Sequence, residues 1–146
     1  MNFKGVFEHS IDPKGRVFIP AKYREALGEQ FVMCKSYLEK CLEVYTTEEF
    51  DKLAEKFADS ALTNKNEQEV QRYLYANAND VELDKQGRAL IPANLREYAG
   101  LDTEVTIVGV RNRLEIWDRQ AYIQRISDGS GVSNAIKSLE ASGIRI

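Results

Sequence analysis

The sequence has little of what most small-protein chemistries need. Its 146 residues include one histidine, two cysteines, one tryptophan and three prolines. A lone histidine, His9, on an expected strand cannot by itself build a catalytic or metal-binding cluster. No Gly-x-Ser-x-Gly, P-loop, His-Glu-x-x-His or cysteine–histidine set is present. No catalytic residue, metal site or cofactor is therefore expected, and the chain does not read as an enzyme. Cys34 and Cys41 have neither a C-x-x-C spacing nor neighbouring ligands, and are expected to be half-buried free thiols on strands. No apolar run is long enough to span a bilayer. The start, Met1 to Ser10, has no apolar signal-peptide region, so a cytoplasmic protein without a membrane is expected. Positive charge is also in short supply, the formal net charge being −3. That balance does not exclude a nucleic-acid partner, whose footprint is a local basic patch and not a total.

What the chain does have is a repeat. Asp12 to Gly28 returns as Asp84 to Gly100, displaced by 72 positions. Asp12 aligns with Asp84, Gly15 with Gly87 and Arg16 with Arg88. Ile19-Pro20-Ala21 aligns with Ile91-Pro92-Ala93, and Arg24-Glu25 with Arg96-Glu97. Leu42 to Tyr45 and Leu114 to Trp117 extend the match. Two copies of one module are too few for a solenoid. They point to one body with internal pseudo-symmetry, because a unit of roughly seventy residues is a marginal folder alone.

Each copy reads as strand, turn, strand, short helix and hairpin. Pro13 and Gly15 suit a tight turn. Pro20 suits the first helical turn, and Gly28 a left-handed C-terminal cap. Gln30–Ser36 and Cys41–Tyr45 are expected to form one hairpin, Thr103–Val110 and Arg113–Trp117 the other. Thr46 is placed to cap a helix running to about Ala61, and Asp118 one with Tyr122, Ile123 and Ile126 as its buried stripe. A further helix is expected from Asn66 to Tyr75. Asn77 to Asp80 reads as a breaker before a strand at Val81–Leu83, and the segment from Val132 as a mobile or partner-dependent tail. The resulting division is a first repeat at 1–62, a helical connector at 63–76, a second repeat at 77–128 and a tail at 129–146.

The repeated glycines, prolines and isoleucines are explained by turn and helix building alone. Asp12 and Arg16 could be a simple ion pair or turn cap, and Arg24, Glu25, Arg96 and Glu97 solvated or inter-copy helix charges. Lys14, Arg16, Lys85 and Arg88, however, put two cations at the end of each strand-turn. An arginine on a β-ribbon can fork to the O6 and N7 of guanine while lysines beside it meet phosphate. Asp12 would orient Arg16.

The pattern D-x-x-G-R-[apolar]-x-I-P-A-x-x-R-E, present twice and in register, resembles the MraZ family of the AbrB/MazE-like swapped-hairpin DNA-binding proteins. The resemblance covers about residues 1 to 128. It implies a β-rich α+β fold, a double-split, swapped-hairpin β-barrel. In it the two internal repeats pack as a pseudo-dimer with peripheral helices. It implies DNA contacts at Asp12, Lys14 and Arg16, with Lys22 nearby, and at Asp84, Lys85 and Arg88. Lys22 is replaced by Asn94 in the second copy, so the first is expected to carry the main contact. The resemblance further implies a cytoplasmic, nucleoid-associated transcriptional regulator, a repressor of its own division and cell-wall operon. It would bind promoter-proximal direct repeats of double-stranded DNA as a closed homo-oligomeric ring. The alternative is an antitoxin-like protein-interaction module, using the polar helical segment from Thr63 to Tyr75 and the tail.

Overall fold

The structure, a computed structural model, describes residues 2–57, 64–127 and 129–145. The first repeat contributes β1 (Phe3–Ser10), β2 (Arg16–Phe18), α1 (Ala21–Leu27), β3 (Gln30–Lys35), β4 (Leu42–Thr46) and α2 (Thr47–Glu55). After α3 (Lys65–Ala76) the second contributes β5 (Ala78–Glu82), β6 (Arg88–Leu90), α4 (Ala93–Tyr98), β7 (Glu104–Arg111), β8 (Arg113–Asp118) and α5 (Arg119–Ile126). α6 (Ser130–Ala141) follows.

Among the described residues, eight strands make two antiparallel sheets. The larger runs β1-β7-β8-β4-β3-β5, and the smaller is the two-stranded ribbon β2-β6. The repeats exchange their first strands, β1 pairing with β7 and β5 with β3. Two pairings lie on the pseudo-two-fold axis. Val17 stands opposite Ala89 in the ribbon, and Glu43 opposite Glu115 in the large sheet. Each is a residue facing its own counterpart 72 positions on. Among the described strands no ladder joins the large sheet's edges, β1 and β5, so hydrogen bonding does not close it into a barrel.

The core lies between sheet and ribbon. Val17, Ile19, Ala89, Ile91, Leu114 and Ile116 are fully buried there, and Tyr23, Leu27 and Leu95 seal it from α1 and α4. The other face of β3 and β4 packs Val32, Cys34 and Tyr45 against Phe50 of α2 and Leu74 of α3. β3 is covered on both faces, which is why Phe31 to Cys34 is one unbroken apolar run and not an alternation.

Several local expectations hold. Thr46 caps α2, its hydroxyl accepting from the Glu49 N–H at 3.0 Å, and Asp118 caps α5 by accepting from the Ala121 N–H at 3.0 Å. Others need correction. Pro20 sits at the N-cap, one residue before the helix, with ψ 134°. Gly28 has φ 81° but an extended ψ of −178°, outside the left-handed helical well. The Schellman arrangement appears instead on α4, where the Gly100 N–H donates to Glu97 and the Leu101 N–H to Arg96. α2 ends at Glu55; the expected extension reaches residues 58–61, outside those described. Asn79 and Asp80 do not break the chain but lie within β5, where the pairing Met33↔Asn79 and Val32↔Asp80 supplies backbone partners that override a polar composition. Cys34 and Cys41 are fully buried, and Cys41 precedes β4. The expected stripe on α5 is not buried: Ile123 and Ile126 are exposed. From Ser130 the chain forms α6, whose Val132 and Leu139 are also exposed.

Candidate nucleic-acid interface

Each repeated turn is built around its aspartate. Asp12 Oδ1 accepts the N–H of Lys14 at 3.0 Å and of Arg16 at 2.9 Å, and Oδ2 accepts Arg16 Nε at 2.7 Å. Asp84 does the same, Oδ1 to the N–H of Gln86 and of Arg88 at 2.9 Å each and Oδ2 to Arg88 Nε at 2.8 Å. A short side chain that bonds its own backbone two and four residues on closes the turn without help from the core. Gly15 and Gly87 complete it with φ of 87° and 81°, a region costly for residues with a Cβ. The backbone hydrogen bond from Arg16 is the main influence holding the Asp12 carboxyl below its ordinary range; desolvation opposes it, and the Arg16 side chain and Lys14 N–H add to it. Asp84 is lowered by the equivalent groups, the Arg88 N–H first. Both aspartates are therefore anionic.

These bonds use one edge of each guanidinium. Nε is tied to aspartate, while the Nη groups of Arg16 and Arg88 carry no hydrogen bond among the described residues. Arg88 Nη1 leans toward Asp12 Oδ2 at 3.9 Å, so the two turns touch electrostatically. Oriented arginine forks of this kind match a two-acceptor partner such as a purine edge or a phosphate.

The ribbon brings the turns together. Arg16 is opposite Leu90, and Phe18 opposite Arg88. Val17 and Ala89 point into the core, so period-two alternation turns Arg16, Phe18, Arg88 and Leu90 outward on one face. The turns also clamp each other. The Ile19 N–H donates to the Gly87 carbonyl at 3.1 Å, and the Ile91 N–H to that of Gly15 at 2.9 Å. Arg24 lies against Gly87 and Arg96 against Gly15. The helix arginines are thus inter-copy braces, one of the two readings open from the sequence. Arg24 Nε donates to the Ile19 carbonyl at 2.8 Å, while Arg96 Nε is buried without a partner.

Of the residues singled out from the sequence, Asp12, Lys14, Arg16, Asp84, Lys85 and Arg88 are gathered at this ribbon and its two turns, with Lys14 and Lys85 exposed. Lys22 is not drawn into the turn; its ammonium lies 6.0 Å from the Phe7 ring centroid, over β1. Phe18 and Leu90 share this outward face without belonging to the repeated motif of charged residues. The signal for them was the alternation that puts them on the arginine face.

The elements together define a two-repeat β protein with exchanged strands, presenting a pair of aspartate-oriented arginines on an outward ribbon. A family model described as "MraZ protein, putative antitoxin-like" matches residues 2–73 and again 74–137. The second match carries the likeness beyond 128, into α6. Three similar proteins, each called "Transcriptional regulator MraZ", come from Acetivibrio thermocellus, Thermoanaerobacter sp. strain X514 and Caldicellulosiruptor bescii. They are 48%, 46% and 41% identical over 120, 129 and 141 residues. Those alignments cover 82%, 88% and 96% of this chain and 83%, 89% and 98% of the relatives. The chain belongs to the MraZ family, a family of transcriptional regulators and not of enzymes. No described helix is long and apolar enough to cross a membrane.

Proposed function

We propose that this chain is a sequence-specific DNA-binding transcriptional regulator that represses the operon containing its own gene. The observation that carries the reading is the ribbon, on which β2–β6 pairing sets Arg16 and Arg88 diagonally on one outward face, their Nη groups free of hydrogen bonds among the described residues. In this reading the body is a swapped-hairpin barrel of two repeats, at 1–62 and 77–128, joined by the connector at 63–76. Arg16 and Arg88 read base edges, Asp12 and Asp84 orient them, and Lys14 and Lys85 meet phosphate. Lys22, on α1, is an outlying phosphate contact. A net charge of −3 is no obstacle, because local cations set the contact.

A ring of copies, packed head to tail through the two unlike halves, would present the ribbon to direct repeats in promoter DNA. Binding then gains from avidity and not from one strong contact. Such a protein is cytoplasmic and associated with the nucleoid.

The test is retardation of the DNA upstream of the chain's own gene, with wild type and Arg16→Ala compared. Arg16→Ala should abolish the shift and leave the oligomer mass unchanged, and wild-type affinity should fall steeply with salt. Unchanged binding by the variant, or a flat salt response, sinks the assignment.

A second reading is an antitoxin-like interaction module. It is favoured by the exposed apolar residues Ile123, Ile126, Val132 and Leu139 on α5 and α6. It predicts a stoichiometric partner protein that co-purifies with the chain and is lost when residues 129–146 are deleted.

A further inference from the structure

The outward face of the ribbon carries more than its arginines. Its four side chains form a two-by-two square: Arg16 opposite Leu90, Phe18 opposite Arg88. The cations lie on one diagonal and the large apolar side chains on the other. Phe18 is 45% exposed and Leu90 55%. They are pseudo-symmetric counterparts, so apolar exposure occurs at the same place in both repeats. The inner residues between them, Val17 and Ala89, are fully buried, which shows that the alternation is well kept and that Phe18 and Leu90 are not misplaced core residues. Among the described residues the one ring contact of Phe18 is the Arg88 guanidinium, 5.9 Å from its centroid. A face meant only for phosphate would gain nothing from two exposed apolar groups beside its arginines.

The major groove offers a partner for such a square. Thymine presents a C5-methyl group there beside the purine acceptors that arginine forks to. Residues two apart on a strand are separated by roughly 6.6 Å, close to two base-pair steps of about 3.4 Å. An arginine at one position and an apolar side chain at the next outward one can therefore meet bases two steps apart. We propose that Phe18 and Leu90 are specificity-determining residues of the ribbon, each packing on a thymine methyl group in the major groove beside a base held by Arg16 or Arg88. The inference rests on the DNA-binding reading above and adds the base feature that the apolar diagonal selects. Phe18 is larger than Leu90, so the two thymine contacts are unequal and the preferred site is an imperfect palindrome under each ribbon.

The probe is duplex DNA from upstream of the chain's own gene, made with each thymine replaced in turn by deoxyuridine, which removes only the methyl group. Wild type should bind about fourfold more weakly when a contacted thymine is replaced, the factor for one buried methyl group, and unchanged elsewhere. The double variant Phe18→Ala/Leu90→Ala should bind the thymine and uracil duplexes equally while retaining its melting temperature and oligomer mass. Wild type binding every substituted duplex equally, with Arg16→Ala still abolishing the shift, overturns this inference and leaves the DNA-binding reading standing. A double variant that keeps the wild-type thymine preference also overturns it. A double variant with a smaller oligomer mass assigns the apolar pair to a contact between copies instead. Absence of any wild-type binding removes both readings together.

Discussion

Replacing Gly87 with alanine tests the clamp between the repeats in a way that separates its parts. Gly87 has a φ of 81°, and a Cβ placed there would stand 2.6 Å from Arg24 Cζ. Two costs follow. An alanine forced to positive φ loses about 1–2 kcal/mol. The arginine is a flexible side chain and can swing aside, so the overlap itself is cheap. Swinging aside breaks the Arg24 Nε bond to the Ile19 carbonyl, worth about 1 kcal/mol. The total, about 2–3 kcal/mol, corresponds to a melting temperature lower by roughly 5–10 °C for a domain of this size. Gly100→Ala is the reference. Its φ is also positive, 62°, but nothing lies within 4 Å of the added Cβ, so it should lose only the backbone part. Urea unfolding of Gly87→Ala, Gly100→Ala, Arg24→Ala and the Arg24→Ala/Gly87→Ala pair completes the measurement. With Arg24 already gone, Gly87→Ala should cost only the backbone part, giving a coupling of about 1 kcal/mol. Equal losses for Gly87→Ala and Gly100→Ala, or strict additivity of the pair, would refute the brace.

Arg113 lies between the facing carboxylates, Nη2 at 3.0 Å from Glu115 and Nε at 3.6 Å from Glu43. Arg113→Ala should therefore destabilise by about 3–5 kcal/mol in denaturant unfolding, and adding Glu115→Gln should recover part of that loss. Burial, and then the Glu43 charge, pushes the Cys34 thiol up to about 12, while burial, Glu115 and Glu43 raise Cys41. Both thiols should resist a disulfide reagent at pH 8 in the folded protein and react once denaturant is added. Partial burial, and then Arg24, lowers the His9 pKa below 6.5. The unfolded chain thus binds the proton more readily, so this contribution to stability is full above pH 6.5 and declines as pH falls from there toward the folded pKa. As the sole histidine, its ring signals can be followed by NMR, and Arg24→Ala should move the titration upward.

The parts of the fold visible in the sequence are those set by local chemistry. Thr46 and Asp118 announce their helices because an N-cap needs an oxygen at one defined place. The turns at Asp12 and Asp84 are legible for the same reason, since aspartate, glycine and arginine each have a local task. What residue patterns alone do not reveal depends on the other repeat. The exchange of β1 and β5, implied by the family resemblance, leaves no mark in either strand's own pattern. Asn79 and Asp80 are polar enough to suggest a break, yet pairing with β3 makes them a strand. Arg24 and Arg96 look like ordinary surface helix charges until the opposite turn is laid beneath them. The α5 stripe misled in the opposite sense. Tyr122 does meet Trp117, ring centroids 5.8 Å apart, but Ile123 and Ile126 have spacing without a surface to cover them.

Joining the two repeats in one chain permits something that two identical subunits could not do. On the axis of the large sheet, Glu43 faces Glu115, each carboxylate accepting from its own aromatic neighbour, Tyr45 Oη at 2.7 Å and Trp117 Nε1 at 2.9 Å. Two like charges directly opposite each other, Glu43 buried and Glu115 partly so, are unfavourable and need a cation. An exact two-fold would force any such cation to appear twice. Here Arg113 supplies it from the second repeat, while its counterpart 72 positions earlier is Cys41, a small buried thiol. One arginine serves both glutamates, and the space a second would fill is left to the core. The ribbon shows the same freedom on the outside, where Phe18 and Leu90 occupy equivalent places with different shapes. Symmetry is kept where the backbone must pair and relaxed at side chains that the pairing leaves free, so the two turns share one geometry in surroundings that differ.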